Sequence, residues 1–269
     1  MLRLPAVAGQ FYPASPRELS SLVRQCLRQE SPALKERVKG CLVPHAGYVY
    51  SGNVAGAVFA RIEIPEKVII LGVRHFPRGE NAAILSDGAW RTPLGDLPID
   101  VHLAQACKEQ CQVLREDAIA HAQEHSLEVQ LPFLQALRPA AKFVPIALGA
   151  IKFEELQEIG EGIARVITSS QEEILLLVTS DLNHYEDDLI TRKKDAMAIA
   201  QLEAMDPRGL YDACRSGSIS MCGLGPSVAA LVALRALGAR HGETLMHATS
   251  AAISGDYRRV VGYAGLIFN

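Results

Sequence analysis

Short apolar runs that alternate with helix-like segments are the feature that most constrains the fold of this 269-residue chain. Runs at 40–44, 68–72 and 174–178 read as buried strands, and helical patterns separate them. Such alternation predicts an α/β fold with a mostly parallel central sheet flanked by helices on both faces. Two closing strands, near 244–253 and 260–268, are expected to pair antiparallel at one edge.

The remaining pattern predicts a strand at 142–148 and a small hairpin within the polar stretch 76–99. It predicts helices at 52–62, 100–113, 124–137, 153–168, 188–205, 207–215 and 224–237. No composition shift or long linker marks a boundary, so we expect a single domain over residues 1–269.

Composition narrows the classes of function. The hydrophobic fraction is 49%, the charged fraction 21% and the net charge −3, which predicts neither a nucleic-acid partner nor an anionic-membrane partner. No apolar stretch is long enough for a membrane span, and the first residues lack the apolar core of a signal peptide, so a cytoplasmic location is expected. The six cysteines form no CxxC pair, which excludes a zinc knuckle and a thioredoxin motif.

Three of the eight histidines come directly after predicted strands. They are His45, His75 and His184, and ligands of open α/β sheets bind beyond the carboxyl ends of the strands. Three imidazoles placed there predict a metal site or an acid–base site. Arg74, beside His75, either binds an anionic substrate group or is an ordinary solvated charge.

Two further segments carry acidic side chains near histidines. Asp181 is close enough in sequence to orient His184 or to reach the same ligand, although a helix cap is the alternative. If 124–137 is helical, Glu124 and Glu128 share one face. The HExxH order of a zinc protease is absent from this segment, which we interpret as a helix start aimed at the crevice, with a structural role for His121.

Cys222 precedes two glycines and Pro226, a combination that marks the start of a helix. A helix dipole favours the thiolate, which is both a metal ligand and a nucleophile. The alternative is a small buried side chain, the commonest role of a lone cysteine. In the strand-to-helix turn after His45, Ser51 or Asn53 is expected to cap the next helix.

Five motifs in order resemble the Memo family, which includes the AmmeMemoRadiSam system protein B. They are P-H-A-G-Y from Pro44, L-G-x-x-H from Leu71, E-H-S-L-E-V-Q-L-P-F-L from Glu124, T-S-D-L-N-H-Y from Thr179 and C-G-x-G-P from Cys222. The resemblance spans nearly the whole chain and implies a fold similar to class III extradiol dioxygenase catalytic subunits.

The resemblance also implies roles for residues. His45, His75 and Cys222 would be the metal ligands, and His184 would match the dioxygenase acid–base histidine, with Asp181 beside it. A second group is expected to orient these residues or to contact substrate: His125, Glu124, Arg74 and Tyr48. The resemblance implies Fe²⁺ as the metal. Cys222 stands where the dioxygenases use a carboxylate, and because a thiolate is a softer ligand, copper or zinc are alternatives.

Three hypotheses follow for function. The first is a metal-dependent, dioxygenase-like oxidoreductase acting on an unknown small molecule. The second is a non-enzymatic binding or accessory protein, either peptide-binding or a partner of a radical-SAM protein. The third is a metal-free hydrolase with Cys222 as nucleophile and His184 as base. A homo-oligomer is also possible, through the 76–99 segment.

Overall fold

The computed structural model describes residues 1–28 and 35–269. The described residues form these strands: β1 (Leu2–Arg3), β2 (Gly40–Val43), β3 (Lys67–Val73), β4 (Ala82–Ile84), β5 (Ala89–Thr92), β6 (Gly95–Pro98), β7 (Arg115–Glu116), β8 (Lys142–Leu148), β9 (Ile174–Thr179), β10 (His184–Glu186), β11 (Gly242–Thr249) and β12 (Val260–Phe268). They form these helices: α1 (Pro16–Arg28), α2 (Tyr48–Arg61), α3 (Val101–Gln110), α4 (Ala118–His121), α5 (Leu131–Leu137), α6 (Phe153–Ser169), α7 (Asp188–Glu203), α8 (Pro207–Ser216), α9 (Leu224–Ala236) and α10 (Ala251–Ser254).

Four parallel strands form the centre of the main sheet, in the order β2-β9-β3-β8. β9 is buried along its whole length and β3 along all but its first residue. Strands covered on both faces read as continuous Val, Ile and Leu runs, which explains the apolar runs of the sequence. The predicted α/β class and parallel centre are therefore confirmed.

The outer strands make the sheet mixed. β4 pairs antiparallel with β8, and β12 pairs antiparallel with β2. The two closing strands β11 and β12 pair antiparallel as predicted, and β12 lies between β11 and β2. β10 pairs antiparallel with the first residues of β12, where His184 lies opposite Val261. This pairing holds His184 beside the end of the parallel strands.

Helices flank the sheet in two main groups. α9 contacts β3, β8 and β9 and packs against α6 and α8, while α2 contacts β2, β11 and β12 and packs against α1. In the part of the chain described, no helix has both the length and the apolar character needed to cross a membrane.

The small hairpin forms over β5 and β6, and β1 adds to it in parallel to give a separate three-stranded sheet. Residues 82–84 of the same polar stretch pair instead with the main sheet. The hairpin prediction is confirmed for residues 89–98 only.

Two predicted helices differ from the structure. The helix expected at 52–62 begins at Tyr48, so Ser51 and Asn53 lie inside it and Gly47 holds the N-cap position. The Ser51 hydroxyl donates to the Ala46 carbonyl. The helix expected at 124–137 is wrong for its first half, which is a loop and a 3-10 turn (Glu128–Gln130) before α5.

Side-chain hydrogen bonds explain that loop. The Ser126 backbone N–H donates to Glu124 Oε1, and the Ser126 hydroxyl donates to the Val73 carbonyl. Local side-chain bonds of this kind compete with helical bonds of the backbone. Pro132 then lies in the first turn of α5, a position that suits proline.

Candidate metal-binding site

Three histidines meet beyond the carboxyl ends of the parallel strands. His45 follows β2, His75 follows β3, and His125 comes from the loop before the 3-10 turn. One ring nitrogen from each of the three lies within 4.8 Å of the others. The rings of His75 and His125 stack at a centroid distance of 4.6 Å. This arrangement of imidazoles could hold a metal ion.

A buried carboxylate orients His75. Glu124 Oε1 accepts a hydrogen bond from His75 Nδ1 at 2.9 Å, and Oε2 accepts the His75 backbone N–H at 2.7 Å. Burial alone would raise the pKa of Glu124, but the hydrogen bond from His75 and the charges of His75 and His125 lower it to about 2. The carboxylate fixes the Nδ1–H tautomer of His75 and leaves Nε2 for a ligand, as in many metal centres.

His45 is the most buried member of the cluster. Its Nδ1 lies 2.9 Å from Thr179 Oγ1 and its Nε2 lies 3.1 Å from Cys222 Sγ. Burial and the neighbouring His75 lower the pKa of His45 to about 3. Burial likewise lowers the pKa of His125 to about 4, with His45 nearby adding to the effect. Both imidazoles are therefore neutral at physiological pH, the form that binds metals.

Cys222 lies beside His45 and directly before Gly223, the residue that precedes α9. Its sulfur also receives a hydrogen bond from the Asp181 backbone N–H at 3.3 Å. Burial and the Asp181 charge raise the pKa of the Cys222 thiol. This direction is opposite to the expected effect of the helix start, and it keeps Cys222 a thiol in the metal-free protein.

His184 faces the same cavity but is oriented by Ser220. The Ser220 carbonyl lies 2.9 Å from His184 Nδ1, and the Ser220 hydroxyl accepts the His184 backbone N–H at 2.8 Å. Since a carbonyl only accepts, Nδ1 carries the proton, and Nε2 is an acceptor when the ring is neutral.

Asp181 has a different bonding role from the one expected. Its Oδ1 accepts the backbone N–H groups of His45 at 2.8 Å and Ala46 at 3.3 Å. These hydrogen bonds lower the pKa of Asp181, but burial has the larger effect and raises it. Asp181 thus holds the turn that carries His45, and it lines the same cavity as His184.

The cavity has a volume of about 600 Å³ and brings most of the predicted site residues together. The predicted residues that line it are His45, His75, His125, Asp181, His184 and Cys222. Phe11, Ser220 and Tyr263 also line it and were not predicted. Phe11 packs on His125 at a centroid distance of 4.6 Å. Because the two residues are 114 positions apart, the sequence does not predict this contact.

Tyr48 and Arg74 do not face this cavity. The Tyr48 hydroxyl donates to the Val129 carbonyl, and its ring packs on Tyr12 and Phe133 in the core. The Arg74 Nη2 donates to Asn81 Oδ1 at 2.5 Å. Tyr48 therefore lies in the core behind the site, and Arg74 lines a neighbouring cavity.

His121 lies outside the site, as predicted. It is fully buried, and its ring packs edge-on to Trp90 at a centroid distance of 5.7 Å. Burial, with the nearby Arg3 charge, lowers its pKa to about 4.

Comparison with known proteins identifies the family. A family model described as Memo-like protein matches residues 3–267. The chain belongs to the Memo family. A MEMO1 family protein of Methanopyrus kandleri is 42% identical over 100% of this chain and 99% of its own length. A MEMO1 family protein of Aquifex aeolicus is 39% identical over 99% of both chains.

A solved structure supports the fold of this Memo-family chain. The crystal structure of an uncharacterized protein from Escherichia coli K12 superposes with a TM-score of 0.55. The superposition covers 84% of this chain and 99% of the other, and 12% of the residues are identical. At that identity the likeness concerns the fold alone.

Proposed function

We propose that this Memo-family protein is a metal-dependent oxidoreductase that acts on a small molecule in the 600 Å³ cavity. The observation that carries the proposal is the cluster of His45, His75 and His125, in which buried Glu124 orients one ring toward the others. A buried carboxylate behind an imidazole is typical of metal ligands and is costly without a partner.

The donor set fits a transition metal. His45 and His75 would be two ligands, and the third would be Cys222, which the family resemblance implies, or His125, which the geometry adds. Neutral imidazoles suit iron, copper and zinc, and a metal would remove the thiol proton of Cys222 on binding. Fe²⁺ is the metal we propose, on the resemblance to class III extradiol dioxygenases, and such an ion would supply redox chemistry with dioxygen when bound.

His184 is the proton-transfer residue in this proposal. Its Nδ1 is committed to the Ser220 carbonyl, and its Nε2 is free to accept a proton from a substrate hydroxyl in the cavity. Phe11 and Tyr263 give the cavity aromatic walls, which suits a small organic substrate and helps to exclude water.

The hydrolase hypothesis has less support. The imidazole next to Cys222 is that of His45, not His184, and burial lowers its pKa to about 3. So weak a base, beside a thiol whose pKa is raised, does not activate a nucleophile.

Anaerobic reconstitution with Fe²⁺ followed by oxygen-electrode assays with catechol-type substrates tests the proposal. We expect oxygen uptake that needs both metal and substrate. The His184→Gln variant is expected to keep the metal and to react about 10²- to 10⁴-fold more slowly than wild type. Uptake that is equal in wild type and His184→Gln would contradict the role of His184. A metal-loaded protein with no oxygen chemistry on any such substrate would favour the binding or radical-SAM accessory role.

A further inference from the structure

A second cavity of about 840 Å³ lies next to the metal-binding site and has a different chemistry. Cys222 lines both cavities, so they meet at its side chain. Three cationic side chains line the second cavity: Arg74, Lys152 and Arg215. The metal-site cavity has none, because its charged and titratable lining consists of histidines, Asp181, Cys222 and tyrosines.

Within residues 1–28 and 35–269, no acidic side chain is a counterion of these three cations. Arg74 donates to the carbonyls of Arg78 and Gly79 and to the side-chain oxygen of Asn81, all of them neutral. Arg215 donates to the Tyr211 hydroxyl and lies over its ring. Among the residues that the structure describes, neither these two nor Lys152 forms an ion pair. Glu155 is the one carboxylate among the described residues that line this cavity, and it accepts the backbone N–H of Lys152.

The guanidinium of Arg74 packs against the backbone of Gly149, and one of its N–H donors has no partner. Its Nε is buried and has no hydrogen-bond partner. A Cβ at Gly149 would come within 2.7 Å of that Nε, so glycine is what allows the guanidinium to lie there. No ligand reaches this buried Nε, so Arg74 contributes to the cavity through its positive charge.

The start of α9 adds to the positive potential. Leu224 and Gly225 of its first turn line this cavity, and no side chain caps the helix. A Cβ placed on Gly225 would meet no atom closer than 3.4 Å, so the first turn is accessible. The N-terminus of a helix offers the positive end of the helix dipole to an anion. In this first turn the N–H available to a ligand is that of Gly225, because the Leu224 N–H donates to the Met221 carbonyl and Pro226 has no N–H.

We infer that the second cavity binds an oxyanion, the carboxylate or phosphate group of the small molecule whose other end reaches the metal-binding site. The pairing of the two cavities through one ligand rests on the proposed function. Binding of the oxyanion itself does not, because none of Arg74, Lys152 and Arg215 belongs to the histidine cluster.

Titration of metal-free protein with inorganic phosphate and with succinate, at constant ionic strength, tests the inference by calorimetry and by amide NMR. We expect saturable binding in the millimolar range, with the amide signal of Gly225 shifting. Phosphate alone, succinate alone or both are supporting results, and they distinguish the source of the oxyanion. No saturable binding of either, or shifts only at remote residues, would overturn the inference.

Single charge changes sharpen the test. Arg215→Gln is expected to weaken binding about tenfold, since it removes one charged donor. Glu155→Gln is expected to tighten binding, because it removes the opposing carboxylate. Arg208→Gln is the matched control, as Arg208 lies on the same helix, pairs with Asp212 and does not line the cavity.

Equal effects of Arg215→Gln and Arg208→Gln would overturn the inference, since they would indicate general surface attraction. Metal content, measured on the same preparations, is read independently. A protein that binds phosphate but no metal would contradict the proposed function and would support the oxyanion site. A protein that binds metal but no phosphate or succinate would overturn the oxyanion site and would leave the proposed function in place.

Discussion

Two buried glutamates, Glu124 and Glu128, lie four residues apart and have separate roles. Glu124 bonds to His75 and to Ser126 at the histidine cluster. Glu128 forms a buried ion pair with Arg3 and accepts hydrogen bonds from Ala6 N–H and the Tyr12 hydroxyl. The first glutamate orients a ligand, and the second fixes the N-terminal segment that carries Phe11.

Exchanging each glutamate for glutamine separates these roles. Glu124→Gln should lower metal affinity about 10- to 100-fold, because the amide no longer holds His75 as a carboxylate does. Glu128→Gln should instead lower the free energy of unfolding by about 3 kcal/mol, since it leaves Arg3 buried without its counterion. Metal titration and urea unfolding of both variants check this, and equal metal affinity in the two would contradict the role of Glu124.

His121 makes stability depend on pH. Its pKa falls from 6.5 in the unfolded chain to about 4 in the folded protein, chiefly through burial. The unfolded state therefore binds the proton first, so stability is full above pH 6.5 and falls as the pH drops toward 4, by about 3 kcal/mol for this group.

Urea unfolding at pH 7 and pH 4 measures this contribution. His121→Leu should reduce the loss between the two pH values by about that 3 kcal/mol. His102→Gln, which changes an exposed histidine on α3, is the control and should leave the loss unchanged. If both variants lost as much stability as wild type, the titration would belong to other groups.

Strand ends are predictable from the sequence, and His45, His75 and His184 each follow an apolar run, while Cys222 comes just before a helix. The fold brings these four positions to one cavity. Arg74 and Tyr48 do not line the cavity of the histidines, because the side to which a side chain turns after a strand depends on distant contacts. Arg74 turns toward Gly149 and Asn81, and Tyr48 toward Val129.

At the level of elements, β12 supports His184 through a close approach to α7. The backbone of Gly262 packs against buried Asp195 of α7, and a Cβ there would overlap the carboxylate. Asp195 Oδ1 accepts the Asn183 backbone N–H, and Asp195 Oδ2 lies 2.8 Å from His247 Nε2 on β11. Asp195 thus positions Asn183, the residue before His184.

Gly262→Ala should therefore destabilise the fold by about 1–3 kcal/mol, the usual cost of overpacking a tight contact. Gly47→Ala is the control, because a Cβ there would meet its nearest neighbour at an ordinary 3.5 Å. Denaturant unfolding of the two variants measures the difference. A Gly262→Ala protein as stable as Gly47→Ala would show that Asp195 can move without cost.

The elements that sequence reasoning missed share a cause. The periodicity of 124–137 is compatible with a helix, yet Glu124 and Ser126 bond to backbone groups of their own loop and of β3. Those bonds depend on the position of a strand about fifty residues earlier, which local propensity does not contain. The central parallel strands were predicted well because burial on both faces leaves a continuous apolar run.

On the scale of the whole molecule, two cavities meet at one cysteine. One contains histidines and aromatic walls, and the other contains unpaired cations and a helix start. Arg74 and His75 are adjacent in sequence after β3, yet Arg74 lines the cavity with the cations and His75 lines the cavity with the histidines. A substrate with an anionic end and an oxidisable end matches this division.

The measurement that tests the central claim most directly is the metal content of anaerobically prepared protein, determined by elemental analysis. The account predicts about one redox-active metal ion per chain in wild type, and its loss in His45→Ala. Cys222→Ser and His125→Ala, compared in the same series, identify the third ligand as the one whose change removes the metal. Wild-type protein without metal after loading with Fe²⁺ or Cu⁺, or His45→Ala that retains the wild-type content, would contradict the account.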